Sequence, residues 1–253
     1  MPHKHKKNTR PKSAKNPANS TGKLWIWGTH AAEAALNNPR RKINQVLATR
    51  NSLVLLKKTK DFGQVNPVEP QRITEALPNG AVHQGIALQI DPLPGIPLDQ
   101  VLSSTHGPLV MLDGVTDPRN IGAIFRSAAA FGAAAIITQD RHTPVLSGVL
   151  AKAAAGAIEC VPHIAVVNLS RTLEQLAEAG LHSIGLAGET TIRLADATDE
   201  RRVVLVMGAE GKGMRPNVAK HCETLAKIQI HAAMESLNVA SAASVALYEL
   251  GRD

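Results

Sequence analysis

Aromatic side chains are nearly missing from this chain: three Phe, two Trp and one Tyr in 253 residues. A core must therefore be built from Leu, Val, Ile and Ala, which the 44% hydrophobic content allows. Cysteine is as scarce. Cys160 and Cys222 cannot form a disulfide framework and neither belongs to a CxxC pair, which suits a reducing compartment. No apolar run reaches the length of a membrane span, and the basic start is not followed by the apolar stretch of a signal peptide. A cytoplasmic protein without membrane contact is expected. The ten His show no zinc-site spacing, and His3-x-His5 stands alone near the terminus, so no metal is expected.

Acid is absent from the start of the chain. Lys4, Lys6, Lys7, Arg10, Lys12, Lys15 and Lys23 all precede the first acid, Glu33. The remaining 21 Lys and Arg equal the 21 Asp and Glu, so the whole formal charge of +7 belongs to this tail. With Pro2, Pro11 and Pro17 and no hydrophobic period, residues 1–22 read as disordered. Such a segment either binds a polyanion through counterion release or only solubilises the protein.

Order begins at 24–28, a short strand ending in a turn. Thr29 is placed to cap a helix over 30–36 that stops near Asn37-Asn38-Pro39. A strand over 43–48, a helix over 52–60, a strand near 64–68, a helix near 71–77 and a strand over 83–90 complete a small α/β unit, residues 23–91. Asp91-Pro-Leu-Pro-Gly-Ile-Pro97 opens a linker, 92–106, which a short helix over 98–102 continues. The second domain, 107–253, alternates apolar strands and helices: strands over 109–112, 135–138, 158–161, 164–166, 182–186, 203–207 and 225–230, with helices over 121–131, 147–155 and 170–179, near Val218, and over 240–250. Continuous apolar strands separated by helices imply a parallel sheet covered on both faces. Ligands of such sheets sit outside the carboxyl ends of the strands.

Three stretches at those ends carry chemistry. The first is Leu112-Asp-Gly-Val-Thr-Asp-Pro-Arg-Asn-Ile-Gly-Ala-Ile-Phe-Arg126. Ile121, Ile124, Phe125 and Ala128 repeat at i, i+3, i+4 and i+7 and mark the buried face of a helix; Arg126 lies off that face. The second, Val206-Met-Gly-Ala-Glu-Gly-Lys-Gly213, is a Gly-rich turn after a strand, where backbone can approach a ligand closely. It lacks the Lys-Ser/Thr of a phosphate-binding loop and the spacing of a dinucleotide fingerprint. The third, Ile228-Gln-Ile-His-Ala-Ala-Met-Glu-Ser-Leu-Asn-Val239, ends in polar residues at the mouth of an Ala-rich helix.

Together and in this order the three resemble the signature motifs of the SpoU/TrmH family of RNA ribose 2′-O-methyltransferases. The sequence departs from the family where Gln229-Ile230 replaces Pro-Met and Ala232 replaces Gly. The resemblance implies a SPOUT fold, an α/β domain with a parallel sheet and a trefoil knot, acting as a homodimer on S-adenosylmethionine and RNA. It assigns Asn120, Arg126, Glu210, Ser236 and Asn238 to catalysis, and Gly188, Gly208, Gly211, Ile228 and Leu237 to the cofactor. Gly28-x-His30 and His83-Gln-Gly85 are similar to the ribosomal-protein-like RNA-binding domain that precedes the catalytic domain in many members, and imply a mobile substrate domain. The layout is most like members that methylate a guanosine of 23S rRNA.

The reaction joins a poor nucleophile, a ribose hydroxyl, to a methyl group on a sulfonium. The protein must align them, exclude water and help remove one proton. No His or paired carboxylate stands in the motifs for that task. An Arg is ordinarily charged and a poor base, yet the resemblance gives Arg126 the proton-accepting role; orientation of the hydroxyl and a nearby phosphate is the least it implies. Other members act on tRNA guanosine. A non-catalytic, ribosome-associated RNA-binding factor of the same fold is the reading from a different class, against which the joint presence of the five polar residues stands.

Overall fold

The computed structural model describes residues 24–57, 65–140 and 147–251. The basic tail and the outer ends of the elements expected at 52–60 and 64–68 lie outside these residues. The first unit contains β1 (Leu24–Trp27), α1 (Thr29–Asn37), β2 (Ile43–Ala48), α2 (Arg50–Lys57), α3 (Pro70–Ala76) and β3 (Ile86–Ile90). Its three strands pair antiparallel in the order β1-β3-β2. β3 is buried along its whole length because it has a partner strand on each side.

Three local expectations fail here for definable reasons. Thr29 does not cap α1: it is the first helical residue, and Gly28 holds the cap position at φ 94° without a side chain to offer. Gln84 supplies the missing acceptor, its Oε1 taking the Thr29 N–H at 3.1 Å. The strand expected from 83 begins only at Ile86, since Gln84 and Gly85 turn the chain at φ 55° and 80°. Residues 65–69 form no strand; Val68 gives one backbone bond to Ala48 and the segment runs straight into α3.

A short helix, α4 (Leu98–Ser104), lies within the connection to the second unit. There β4 (Leu109–Asp113), β5 (Ala135–Gln139), β6 (His163–Val166), β7 (His182–Leu186), β8 (Val203–Gly208) and β9 (Thr224–Ala226) make a six-stranded sheet in the order β6-β5-β4-β8-β7-β9. Every pairing is parallel. Strand residues alternate between two cores. Val110, Leu112, Ile136, Leu205 and Met207 face the layer of α5 (Pro118–Ala130), α6 (Gly148–Ala154), α8 (Leu194–Ala197) and α10 (Val239–Leu250). Leu109, Met111, Ile137, Val204 and Val206 face α4, α7 (Leu169–Glu178) and α9 (Pro216–Lys220).

The strand expected over 158–161 does not form, its start being taken up by a 3-10 turn over 157–159, and the strand expected over 225–230 ends at Ala226. After β9 the chain leaves the sheet: Lys227 exchanges backbone bonds with Ile192 and Leu194, and the segment 228–238 then returns to α5.

The two units are docked on each other through the segment 148–159. The Trp27 ring lies on Gly148, where an added Cβ would meet it at 1.8 Å, and Ala34 fills the space over Gly156. Lys152 Nζ donates to the Val82 carbonyl. At the far end, Arg41 Nη2 meets Glu159 Oε1 at 2.7 Å with both side chains buried. The expected mobile substrate domain is thus seated against the helix layer that carries α5.

Candidate active site at the carboxyl ends of β4 and β8

β4 and β8 are neighbours at the centre of the sheet, with Asp113 opposite Gly208 at their carboxyl ends. From β4 the chain departs through β5 and β6 toward one edge, while β7 and β9 occupy the other side, so a crevice opens between the two connections. Each motif delivers a loop to it.

The first motif turns at Gly114 (φ 73°) and enters α5 with Pro118 in the first turn and Asp117 as the cap, accepting the Arg119 N–H at 2.8 Å. This sets Asn120 at the mouth of the helix. Ile121, Ile124, Phe125 and Ala128 are buried as their spacing requires, and Arg126 is exposed. In the second motif, Ala209 and Gly213 exchange two backbone bonds of 3.0 and 2.8 Å and close a tight hairpin with Glu210, Gly211 and Lys212 at its tip. Gly208 has no room for a side chain: a Cβ would stand 2.0 Å from the Gly213 carbonyl carbon. The third motif ends in Asn238, whose Oδ1 caps α10 by accepting the N–H groups of Ala240 and Ser241.

Three side chains from three motifs converge. Asn238 Nδ2 donates to Asn120 Oδ1 at 3.1 Å and to Glu210 Oε2 at 3.4 Å. Asn120 Nδ2 closes the triangle on the same Glu210 oxygen at 3.5 Å. The capping oxygen of Asn238 is occupied by the helix, so only its amide nitrogen is free to serve the site. Ser236 is exposed close by in the chain and makes no hydrogen bond among the described residues.

Arg126 is not in this triangle. Six residues beyond Asn120 on one helix, it sits about 9 Å further along the axis and about 120° round it. Its guanidinium is exposed and has no hydrogen bond or ion pair among the described residues. Of the five residues assigned to catalysis, the fold joins Asn120, Glu210 and Asn238 and leaves Ser236 and Arg126 open to solvent.

The residues assigned to the cofactor lie at or just past the carboxyl ends of β7, β8 and β9, or beside Asn238. A Cβ on Gly188 or Gly211 would meet nothing within 4 Å, so both present bare backbone to open space. Ile228 and Leu237 are half-buried, with Ile228 packed on the main core. Bare backbone beside partly covered aliphatic side chains is a fitting seat for an adenosine-bearing cofactor. A cleft of about 450 Å³ between residues 92–98 and β6 is lined by none of these residues. No group of three His, Cys, Asp or Glu is placed to hold a metal among the described residues.

Residues beyond the motif assignments complete the edge. Asp113 is fully buried and bound to Arg215, and Cys222 lies near it; burial first, and the Asp113 charge second, push the Cys222 thiol up to about 12. The visible sequence signal was a lone acid closing the apolar strand Leu109–Asp113, but its partner lies 102 residues away.

The chain is similar to known proteins over nearly its whole length. Residues 107–248 match the SpoU rRNA Methylase family, and residues 25–95 match the RNA 2′-O ribose methyltransferase substrate binding family. The chain is 36% identical over 236 residues to the 23S rRNA (guanosine-2′-O-)-methyltransferase RlmB of Escherichia coli strain K12, covering 90% of this chain and 97% of that one. The RlmB of Ralstonia nicotianae is 38% identical over 242 residues, covering 92% and 96%. The SpoU methyltransferase AviRb of Streptomyces viridochromogenes, solved in complex with the cofactor AdoMet, shares the fold with a TM-score of 0.76 at 20% identity, covering 91% of this chain and 89% of that one. A putative RNA methyltransferase of the TrmH family from Porphyromonas gingivalis gives 0.74 at 24% identity, covering 90% and 89%. With its three motifs meeting at one sheet edge and both of its units matched, the chain belongs to the SpoU rRNA methylase family.

Proposed function

We propose that this protein transfers the methyl group of S-adenosylmethionine to the ribose 2′-hydroxyl of a guanosine in 23S rRNA. The observation that carries the reading is the Asn120–Glu210–Asn238 triangle, which draws all three motifs into one crevice. The cofactor supplies a methyl group already activated on a sulfonium. What remains for the protein is positioning and the removal of one proton.

Gly188, Gly208, Gly211, Ile228 and Leu237 hold the cofactor by backbone contact and apolar cover. Glu210 fixes the amide of Asn120 and binds the nitrogen of the Asn238 amide, whose oxygen is already held as the cap of α10, and the amides orient the ribose. Arg126 has no partner among the described residues, so its guanidinium is available to the RNA. It orients the hydroxyl beside an adjacent phosphate and, in the neutral form that the family role requires, takes the hydroxyl proton as the oxygen–methyl bond forms and the sulfur–methyl bond breaks. Ser236, exposed next to Leu237, adds a hydroxyl to the same wall. The first unit presents the RNA, and the basic tail adds affinity that does not read sequence.

The same reading carries a homodimer, supported by the exposed apolar side chains of Phe131, which follows the last residue of α5, and of Val245 and Tyr248 on α10. It also carries the knotted threading of residues 227–238 and a cytoplasmic site of action. No helix among the described residues is long and apolar enough to cross a membrane.

The test is transfer of labelled methyl to protein-free 23S rRNA and to bulk tRNA, followed by nucleoside analysis. Label in 2′-O-methylguanosine from 23S rRNA is the expected result. Label only in tRNA would keep the chemistry and overturn the substrate, and no cofactor binding at all would sink the enzyme reading and favour a binding factor.

A further inference from the structure

The geometry points to Asp113 and Arg215 as a pair of positioning residues that fix the cofactor loop, and through it Glu210, over the carboxyl ends of β4 and β8. This rests on the reading that residues 208–213 seat S-adenosylmethionine.

The hairpin formed by residues 209–213 is held at two ends. Its entry is fixed because Gly208 is the last residue of β8 and pairs with Asp113 in the sheet. Its exit is fixed by Asp113 itself. Asp113 Oδ2 accepts the backbone N–H of Arg215 at 2.7 Å, and Oδ1 accepts Nε of the same residue at 2.7 Å. One carboxylate thus binds both main chain and side chain of the residue two positions beyond the hairpin. The carboxylate is wholly buried while the guanidinium is half exposed. Arg215 Nη2 continues to Gln139 Oε1 at 2.8 Å, tying the same residue to the end of β5.

Burying a carboxylate is costly unless it is bonded and paired, and this one is both. An ordinary strand end would not require a charge there. The carboxylate is useful because it closes the loop onto the sheet from the side opposite α5. Between these two anchors only Glu210, Gly211 and Lys212 project, and Glu210 reaches Asn120 and Asn238. Loss of either anchor frees the hairpin to swing from the crevice, moving bare backbone away from the cofactor and Glu210 away from both amides. Arg215 and Asp113 touch no reacting atom in this scheme; they act through the loop.

The expected signature is therefore a cofactor effect without an RNA effect. In the full-length protein, Asp113→Asn and Arg215→Met should each weaken S-adenosylmethionine binding, measured by calorimetry without RNA, by about tenfold or more. The KM for RNA should stay within about twofold at saturating cofactor, because the first unit is untouched. Arg215→Lys should fall between wild type and Arg215→Met, since a point charge can restore one of the side-chain contacts but not the fork. Arg201→Met, which breaks the ion pairs of Arg201 with Asp199 and Glu223 at the amino ends of β8 and β9, serves as a control for general loss of stability and should bind cofactor normally. If Asp113→Asn does not fold, Arg215→Met and Gln139→Ala carry the same test.

Gly211→Asn separates the inference from the reading beneath it. The residue is exposed with open space around it and sits at φ 75°, a left-handed conformation that Asn tolerates and a branched side chain would not, so the substitution places a side chain on the loop tip while keeping its backbone. If Gly211→Asn leaves cofactor affinity unchanged, the loop is not the cofactor seat and the inference falls with that reading. If Gly211→Asn weakens binding while folded Asp113→Asn and Arg215→Met bind like wild type, only the positioning role is overturned.

Discussion

Arg41 and Glu159 form a buried ion pair that joins the two units of the chain. Arg41 Nη2 and Nε contact Glu159 at 2.7 and 3.1 Å, its Nη1 donates to the Asp91 carbonyl, and Asn38 Nδ2 adds a bond of 2.7 Å to the same carboxylate. The Arg41 and Glu159 side chains are only 0% and 3% exposed. Removing one partner leaves the other charge buried, so Glu159→Ala should cost about 3–5 kcal/mol of stability. Chemical denaturation measures this. A loss below about 1 kcal/mol would mean that the units are not docked in solution.

Asn238 has two separable duties. Its oxygen caps α10 and its nitrogen joins Asn120 to Glu210. Asn238→Ser should retain the cap and keep stability within about 0.5 kcal/mol, whereas Asn238→Ala should lose about 1 kcal/mol. Both should lower methyl transfer by about tenfold or more, because neither replacement can reach both partners. Equal stability losses in the two variants would show that the capping oxygen does not support α10.

Asp199 makes the fold sensitive to acid. Its carboxyl is held at about 2 rather than 3.8, chiefly by the side chain of Arg201 and then by that residue's backbone N–H. Because the folded value is depressed, the unfolded chain takes up a proton first as the pH falls. The contribution is complete above 3.8 and is lost by about 2. Asp199→Asn should flatten the fall of Tm across this window. An unchanged slope would show that the Asp199–Arg201–Glu223 cluster does not persist in solution.

The two cysteines should differ in reactivity. Cys160 is exposed, whereas Cys222 is half-buried with its thiol pushed up to about 12. Alkylation near neutral pH should modify Cys160 alone, and Cys222 only after unfolding. Mass spectrometry of peptides distinguishes them, and rapid labelling of Cys222 in the native protein would contradict its placement against the Asp113 edge.

Much of the site was legible because its logic is local. The apolar strand ending at Asp113, the Asp117-Pro118 helix start and the buried stripe Ile121, Ile124, Phe125 and Ala128 are all short-range signals. So is Asn238 before the Ala-rich α10. What escaped depends on partners distant in sequence. Gly28 looks like a simple turn before a capping Thr29, yet the cap comes from Gln84, 55 residues on. Arg215 acquires its role only when β8 lies beside β4. The segment 158–161 reads as a strand, but Glu159 is bound to Arg41, and a 3-10 turn over 157–159 presents it. The separation of Arg126 from the Asn120 triangle follows from helix geometry and could have been calculated from their spacing.

Formation of 2′-O-methylguanosine in 23S rRNA by the wild-type protein, beside Arg126→Ala and Asn120→Ala, addresses the assignment most directly. Wild type should methylate one guanosine ribose, and both variants should bind S-adenosylmethionine while transferring at least about 100-fold more slowly. Full transfer by either folded variant would remove that residue from the catalytic machinery, and no 2′-O-methylguanosine from the wild-type protein would contradict the proposed reaction itself.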